Sequence, residues 1–469
     1  MRTDDDSLTR ASVADSGPGL ERGVARELLR LAWPAVLTSL LQTLVFLVDR
    51  VVLARYSQDA LASMQVQGPL LWSLFGVFGG LLVGTVPLVA RATGHGDQAR
   101  ARAVARTSVL VALAVAIAIA LGCGATIEPL VRALGPEAED VRALSRDYLE
   151  IALFGFPPMF VATTAAMILA ASGNTRTPFF AGLVSNGVNV VLSVLLVFGA
   201  DLGSLGQIPS LGVGGAATGS VVAFTLEAAL LVAALGSRSG LGLRWRAPFD
   251  RSAGLALLRI SAPAVLERTI IHVGYLAYVW VITQLGPLVM ATNQALITLE
   301  SVCFLAADGF GVAAATVVGQ SLGRQEPASA KRGGSLAAMI ASGALTGLGL
   351  LLWASSPWTL GAFTPAGAEP GPLASEAGRV LPLLVVAQPF MAVSVVLAQA
   401  LRGAGDTRSP LLAAIVGGLV LRVALAYALG IGLGYGIVGI WWASLVDWIF
   451  RAILLGVIFA RGRWSEIRL

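Results

Sequence analysis

Twelve apolar stretches, each longer than about 20 residues, run through this chain, and they constrain its fold more than any other feature. A helix needs about 20 mostly apolar residues to cross a bilayer. Inside lipid every backbone polar group must be satisfied by the protein itself, so only helices or a closed barrel can span. The stretches lie near 28–54, 66–90, 105–127, 147–171, 178–200, 213–236, 256–285, 290–318, 334–355, 380–401, 410–432 and 437–460. They are too long for barrel strands and predict twelve transmembrane helices.

Composition agrees. Charged residues make up 13% of the 469 residues and hydrophobic residues 56%, whereas soluble domains carry about 25% charged residues. So few charges cannot cover a water-soluble enzyme. The net charge of +5 comes from basic residues in the short segments between apolar runs. That pattern reads as membrane topology, not as a nucleic-acid surface. With an even number of spans, both termini share a side. Of the 32 Lys and Arg residues, 23 fall on the side of the termini, and only Arg55, Arg132, Arg142, Arg146 and Arg379 fall on the other. This asymmetry predicts cytoplasmic termini. Cys123 and Cys303 lie singly in apolar runs, and His95 and His272 are the only histidines, so no zinc site or disulfide framework is expected.

The chain also repeats. Gly173-Asn174-Thr175-Arg176-Thr177-Pro178 matches Gly405-Asp406-Thr407-Arg408-Ser409-Pro410, 232 residues on. Ala62-Ser63-Met64-Gln65 matches Ala291-Thr292-Asn293-Gln294, and Gly94 matches Gly323, each at 229. A near-constant offset implies two similarly oriented six-helix halves, as in carriers that rock two bundles about a central site. The expected division is a tail at 1–26, an N-lobe at 27–236, a cytoplasmic linker at 237–255, a C-lobe at 256–461 and a tail at 462–469.

Several segments resemble the multidrug and toxic compound extrusion (MATE) transporters, closest to their DinF-like branch. They are Val48-Asp49, the Gly173–Pro178 motif with Asn186 and Asn189, Gly212–Thr218, Pro263–Glu267, Asn293-Gln294 with Glu300, Gly309–Ala314, Val318-Gly319-Gln320 and Leu401–Thr407. The resemblance runs from about residue 28 to 460. It implies an all-α integral membrane fold of two six-helix bundles related by a pseudo-twofold axis, with a V-shaped central cleft. It also implies export of organic cations or lipophilic drugs in exchange for H⁺ or Na⁺, by a chain working as a monomer.

Buried acids point the same way without the resemblance. A carboxylate at the bilayer centre costs at least ~2.5–3.5 kcal/mol on insertion scales, yet Asp49, Glu227, Glu267, Glu300, Asp308 and Asp447 all fall within spans. Asp49 is the leading coupling residue, with Gln42 two turns earlier on the same face. Binding H⁺ and binding a cation exclude each other at one carboxylate, and that exclusion alone gives exchange. Where the MATE pattern has a smaller or apolar residue, this chain has Arg50, so Arg50 or Arg55 is a competing ion-pair partner. Asn186, Asn189 and Ser193 share a face of span five, where Ser193 replaces the acid of the pattern. Thr218 and Thr225 are expected to complete that face from span six; helix–helix hydrogen bonding is the other reading of these residues. Glu227 reads as an interfacial acid.

In the second half, Glu267, Tyr275, Tyr278, Asn293, Glu300 and Asp308 are candidate cation or substrate contacts, the tyrosines through cation–π attraction or as ordinary packing rings. Span ten lacks the acid of Na⁺-type members, which favours H⁺. Arg422 needs a carboxylate partner among Glu267, Glu300, Asp308 and Asp447. Asp447 and Arg451, four apart, are expected to pair with each other. No Gly-Lys-Ser/Thr segment for ATP, no cofactor motif and no nucleophile–base or metal-ligand spacing occurs. The competing readings are a lipid or oligosaccharide flippase of the same superfamily and a membrane-embedded enzyme. The first would call for more spans or a strongly cationic cleft, the second for a catalytic cluster.

Overall fold

The computed structural model describes residues 18–134, 139–201, 206–237, 240–245, 249–361 and 371–469. Twelve long helices dominate: α1 Pro18–Tyr56, α2 Gln58–Gly94, α3 Gln98–Gly124, α4 Glu139–Ala171, α5 Arg176–Phe198, α6 Gly212–Gly236, α7 Arg251–Thr283, α8 Pro287–Gly323, α9 Pro327–Ala354, α10 Pro372–Gly403, α11 Arg408–Gly432 and α12 Gly436–Arg461. Among the described residues, α2 to α12 are each long and apolar enough to span a membrane. α1 makes the twelfth; it starts at Pro18, well inside the segment expected to be a tail.

Local chemistry sets the helix starts and stops. Ser57 and Asp97 cap α2 and α3, accepting backbone N–H bonds from Ala60 and Arg100 at 3.0 and 2.8 Å. Asp250 caps α7 through Ser252 and Ala253. The repeated Gly-Asx-Thr-Arg motif is one turn built twice. Gly173 and Gly405 take positive φ values of 94° and 91°, and Asn174 and Asp406 each donate a backbone N–H to a carbonyl five residues back, at 2.8 Å. The side chains of the same two residues then accept the N–H groups of Thr177 and Ser409. The turn after Gly94 likewise returns after Gly323, with Gly96 and Gln325 both at positive φ. These matched turns give the sequence offsets their three-dimensional meaning.

The two halves exchange the starts of their first helices. Leu28, Leu31 and Ala32 of α1 pack into the core of the second half, against residues of α8 and α9 such as Ala313 and Ala337. Ala253, Leu257 and Ile260 of α7 pack into the first half, with Leu88 of α2 and Ile168 of α4. A boundary at 27 or at 256 therefore marks topology more than packing. Leu241 and Leu243 of the linker are buried on the first half.

With no hydrophobic drive between helices in lipid, close packing of small residues holds the seam between halves. Gly76, Gly80 and Gly84 fall four apart on α2 and abut His272, Val265 and Ser261 of α7, and the Gly84 N–H donates to the Ser261 hydroxyl at 3.0 Å. Gly94 and Gly319 of α2 and α8 press on Gln320 and Ala90 across the same seam. Gln320 donates to the Ala171 carbonyl at 2.8 Å, and Thr316 to the Ala170 carbonyl at 3.1 Å. Arg91 reaches the carbonyls of Ala404 and Ile467. These contacts concentrate at the arginine-rich end of the bundle and at mid-helix. Towards the other end, Trp72 of α2 and Tyr275 of α7 are exposed. The hydrogen bonds between the halves thus gather towards the arginine-rich end.

Candidate functional site

In the first half, Asp49 sits 3% exposed on α1. Its Oδ1 accepts a hydrogen bond from Ser193 of α5 at 3.2 Å, and its Oδ2 one from Ser220 of α6 at 3.1 Å. Asn189 donates its amide to the Ser220 hydroxyl at 3.1 Å. Tyr148 of α4 is buried alongside, in the cluster of Val52, Leu53 and Ala60. Gly219 makes the geometry possible. A Cβ there would lie 2.9 Å from the Ser193 hydroxyl, so glycine lets α5 and α6 approach closely enough for both serines to reach one carboxylate.

No arginine or lysine forms an ion pair with Asp49 among the described residues, and the expected competitors Arg50 and Arg55 are exposed. The Asn189 carbonyl oxygen is buried without a hydrogen-bond partner. Asp49, Asn189, Ser193 and Ser220 thus form an all-oxygen pocket whose carboxylate is held by hydroxyls, not neutralised by a fixed cation. That is the donor set for a proton or a hard monovalent cation.

Two expectations are corrected here. Thr218 does not join the pocket, because its hydroxyl bonds the Gly214 carbonyl one turn back, at 2.8 Å. Thr225 does the same with Val221 at 2.7 Å. Ser220, two residues beyond Thr218 and on another face, takes the place assigned to them; its neighbour Gly219 was the available signal. Asn186 is half-buried and does not hydrogen-bond to Asp49. The Gln42 side chain lies outside the described residues. Glu227 accepts a bond from Ser185 at 3.3 Å, away from Asp49.

In the second half two of the buried acids are held by arginines. Glu267 is ion-paired with Arg402 at the end of α10, a partner hidden from the sequence because Arg402 reads as a loop residue. Asp447 is fully buried between two arginines: Arg451 bonds it in bidentate fashion at 2.6 and 2.7 Å, and Arg422 approaches at 2.8 Å. Asp447 is therefore the carboxylate partner Arg422 required. Gly417 and Gly418 of α11 leave the room that this cluster fills, and α11 is π-helical on both sides of the Arg422 turn. The Arg422 guanidinium also stacks over Tyr278 and Trp448, at 5.7 and 5.1 Å from the ring centroids. Tyr278, expected to hold a substrate cation, instead holds this internal one and is buried; Tyr275 is exposed. Asp308 accepts the Gln399 amide at 2.7 Å. Asn293 is buried and Glu300 half-buried, each with one oxygen unpartnered, and Glu300 lies near Arg422. No group of three or more potential metal ligands occurs among the described residues.

Comparisons with known proteins agree with this architecture. The sequence profile of the MatE family matches residues 34–195 and 263–428, one segment in each half. A probable multidrug resistance protein NorM of Thermotoga maritima is 25% identical over 450 residues, spanning 94% of both chains. A protein of the same name from Bradyrhizobium diazoefficiens is 29% identical over 448 residues, spanning 92% of both. Among solved structures, a mutant MATE transporter of Vibrio cholerae superposes with a TM-score of 0.85 at 18% identity, covering 94% of this chain and 98% of that one.

Proposed function

The chain belongs to the MatE family of membrane transporters, and from that premise we propose that it is a secondary-active multidrug exporter that exchanges lipophilic organic cations for H⁺, with Asp49 as the coupling carboxylate. The observation that carries this reading is the contrast between Asp49 and the two arginine-held acids of the second half. Glu267 and Asp447 are each held by arginine, whereas Asp49 is buried among hydroxyls with no such partner. A buried carboxylate without a fixed counter-charge must take up H⁺ or a cation. When H⁺ occupies it, the grip on a cationic substrate is lost; when the substrate occupies it, H⁺ is excluded. Rocking the halves about the α2–α7 and α1–α8 seams would expose the pocket alternately to the two sides.

The bias of basic residues supports a reading with the arginine-rich end in the cytoplasm of a bacterial plasma membrane. A second coupling ion has one observation in its favour. The unpartnered Asn189 oxygen, beside two hydroxyls and a carboxylate, suits Na⁺ as well as H⁺.

Dye efflux in everted vesicles tests both ideas. Collapse of export by a protonophore, with no effect of replacing Na⁺, is the expected result. Export lost only on Na⁺ removal transfers the role to sodium. Asp49→Asn should abolish exchange with unchanged folded yield, and retained wild-type exchange would remove Asp49 from the mechanism.

A further inference from the structure

Arg402, Arg422 and Arg451 each hold a carboxylate inside the C-lobe. Arg268 of α7, near the middle of its span, holds none. Among the described residues its guanidinium makes no ion pair and no hydrogen bond, its backbone carbonyl being met by His272 Nδ1 at 2.8 Å, although Arg402, Glu267 and Asp308 all lie within electrostatic reach. Its two acidic neighbours are engaged elsewhere, Glu267 by Arg402 and Asp308 by Gln399. The side chain is half-buried, and its nitrogens are not among the sealed, unpartnered polar atoms, so the guanidinium faces accessible space.

Position says which space. Ser261, Val265, Arg268 and His272 fall on one face of α7 at spacings of four, three and four. Ser261, Val265 and His272 are the residues that meet Gly84, Gly80 and Gly76 of α2. Arg268 lies in that stripe and so stands at the seam of the two halves. Asp308, its neighbour on α8, immediately precedes Gly309, which abuts Val36 of α1. α1, α2, α7 and α8 thus meet along the stripe that carries Arg268.

A guanidinium is always charged and presents a rigid fork of donors matched to a carboxylate. Charged side chains at this depth pair with one another or with backbone carbonyls, or mark a substrate or ion path, and the Arg268 guanidinium has no such pairing among the described residues. We propose that Arg268 is the anchor for an anionic group of the transported substrate, so that this carrier selects carboxylate-bearing zwitterionic amphiphiles over plain lipophilic cations. The cationic end of such a molecule would be drawn towards Asp49 in the other half and the carboxylate towards Arg268. The inference rests on the exporter reading above.

The test uses a matched pair of rhodamine dyes, a zwitterionic free acid and its cationic methyl ester, which differ at the carboxylate alone. Binding to the purified full chain is read by fluorescence anisotropy, and transport in everted vesicles. In the wild type the free acid is bound more tightly than the ester. In Arg268→Gln the ratio of affinities, acid over ester, falls at least tenfold, and Arg268→Lys recovers part of it because charge returns without the fork. An unchanged ratio in Arg268→Gln overturns the inference while leaving the exporter reading intact, provided the ester is still transported by the wild type. Wild-type vesicles that move neither dye sink both. A matched elution profile in size-exclusion chromatography, together with the Arg268→Lys result, separates loss of the anchor from loss of the fold.

Discussion

The hydroxyl of Ser220 donates to Oδ2 of Asp49 at 3.1 Å, joining α6 to α1 across 171 positions of sequence. A hydrogen bond to a charged group contributes about 1.5–3 kcal/mol. Ser220→Ala is therefore expected to lower the exchange rate roughly tenfold, since about 1.4 kcal/mol is one decade, with normal folded yield. Thr218→Ala, which removes only a bond to its own helix, should stay within about twofold of wild type on the same scale. Side-by-side dye-exchange rates in proteoliposomes check the pair. A larger loss for Thr218→Ala than for Ser220→Ala would refute the pocket.

Asp447 is ion-paired with two arginines at once. Removing one member of a buried ion pair leaves an uncompensated charge, at a cost of about 3–5 kcal/mol. Asp447→Asn should accordingly give a sharp fall in thermal unfolding temperature in detergent, measured by intrinsic tryptophan fluorescence. Trp448 reports directly, since both guanidinium groups lie over its ring, 5.1 and 5.0 Å from the centroid. Unaltered thermal stability would show that the cluster is not structural.

Gly80 leaves no room for a side chain, because a Cβ would fall 2.8 Å from the Cα of Val265. Gly80→Leu should wedge α2 from α7 and spread the two halves at their seam. Spin labels on the exposed positions His95 and Arg324 should then show a longer, broader distance distribution by pulsed electron paramagnetic resonance. An unchanged distribution would mean that this seam does not set the spacing of the halves.

Asp250 lies outside the spans. The Ser252 hydroxyl, the Ala253 N–H and the nearby Arg100 hold its carboxyl below the usual carboxylate range. A group lowered on folding contributes stability that is complete above its unfolded value, near 3.9, and is lost as pH falls through the lower folded value. Asp250→Asn keeps a capping side chain and loses the partly exposed ion pair, so the expected cost at neutral pH is below about 1 kcal/mol. The stability gap between wild type and variant, followed by thermal unfolding from pH 7 downwards, should close as the aspartate protonates. A gap that widens on acidification would contradict this account.

The sequence by itself determined the spans, the two-fold repetition and the turns that carry it, because each follows from local composition and local backbone chemistry. Twenty apolar residues must cross lipid as a helix, and Gly-Asx-Thr-Arg folds the same turn at 173 and at 405 whatever surrounds it. It also singled out Asp49, because an acid in an apolar run stands out by composition alone. It did not show which acids are free. Glu267 is neutralised from 135 positions away by Arg402, and Asp49 is held by serines 144 and 171 positions away. Tyr278 serves an internal cation, not a substrate, because α11 places Arg422 against it. Arg268 is left without a carboxylate contact because its neighbours are already engaged. A charge in lipid is decided by what lies within a few ångströms of it, and in a twelve-helix bundle those neighbours are chosen by packing between helices, which one-dimensional patterning does not encode.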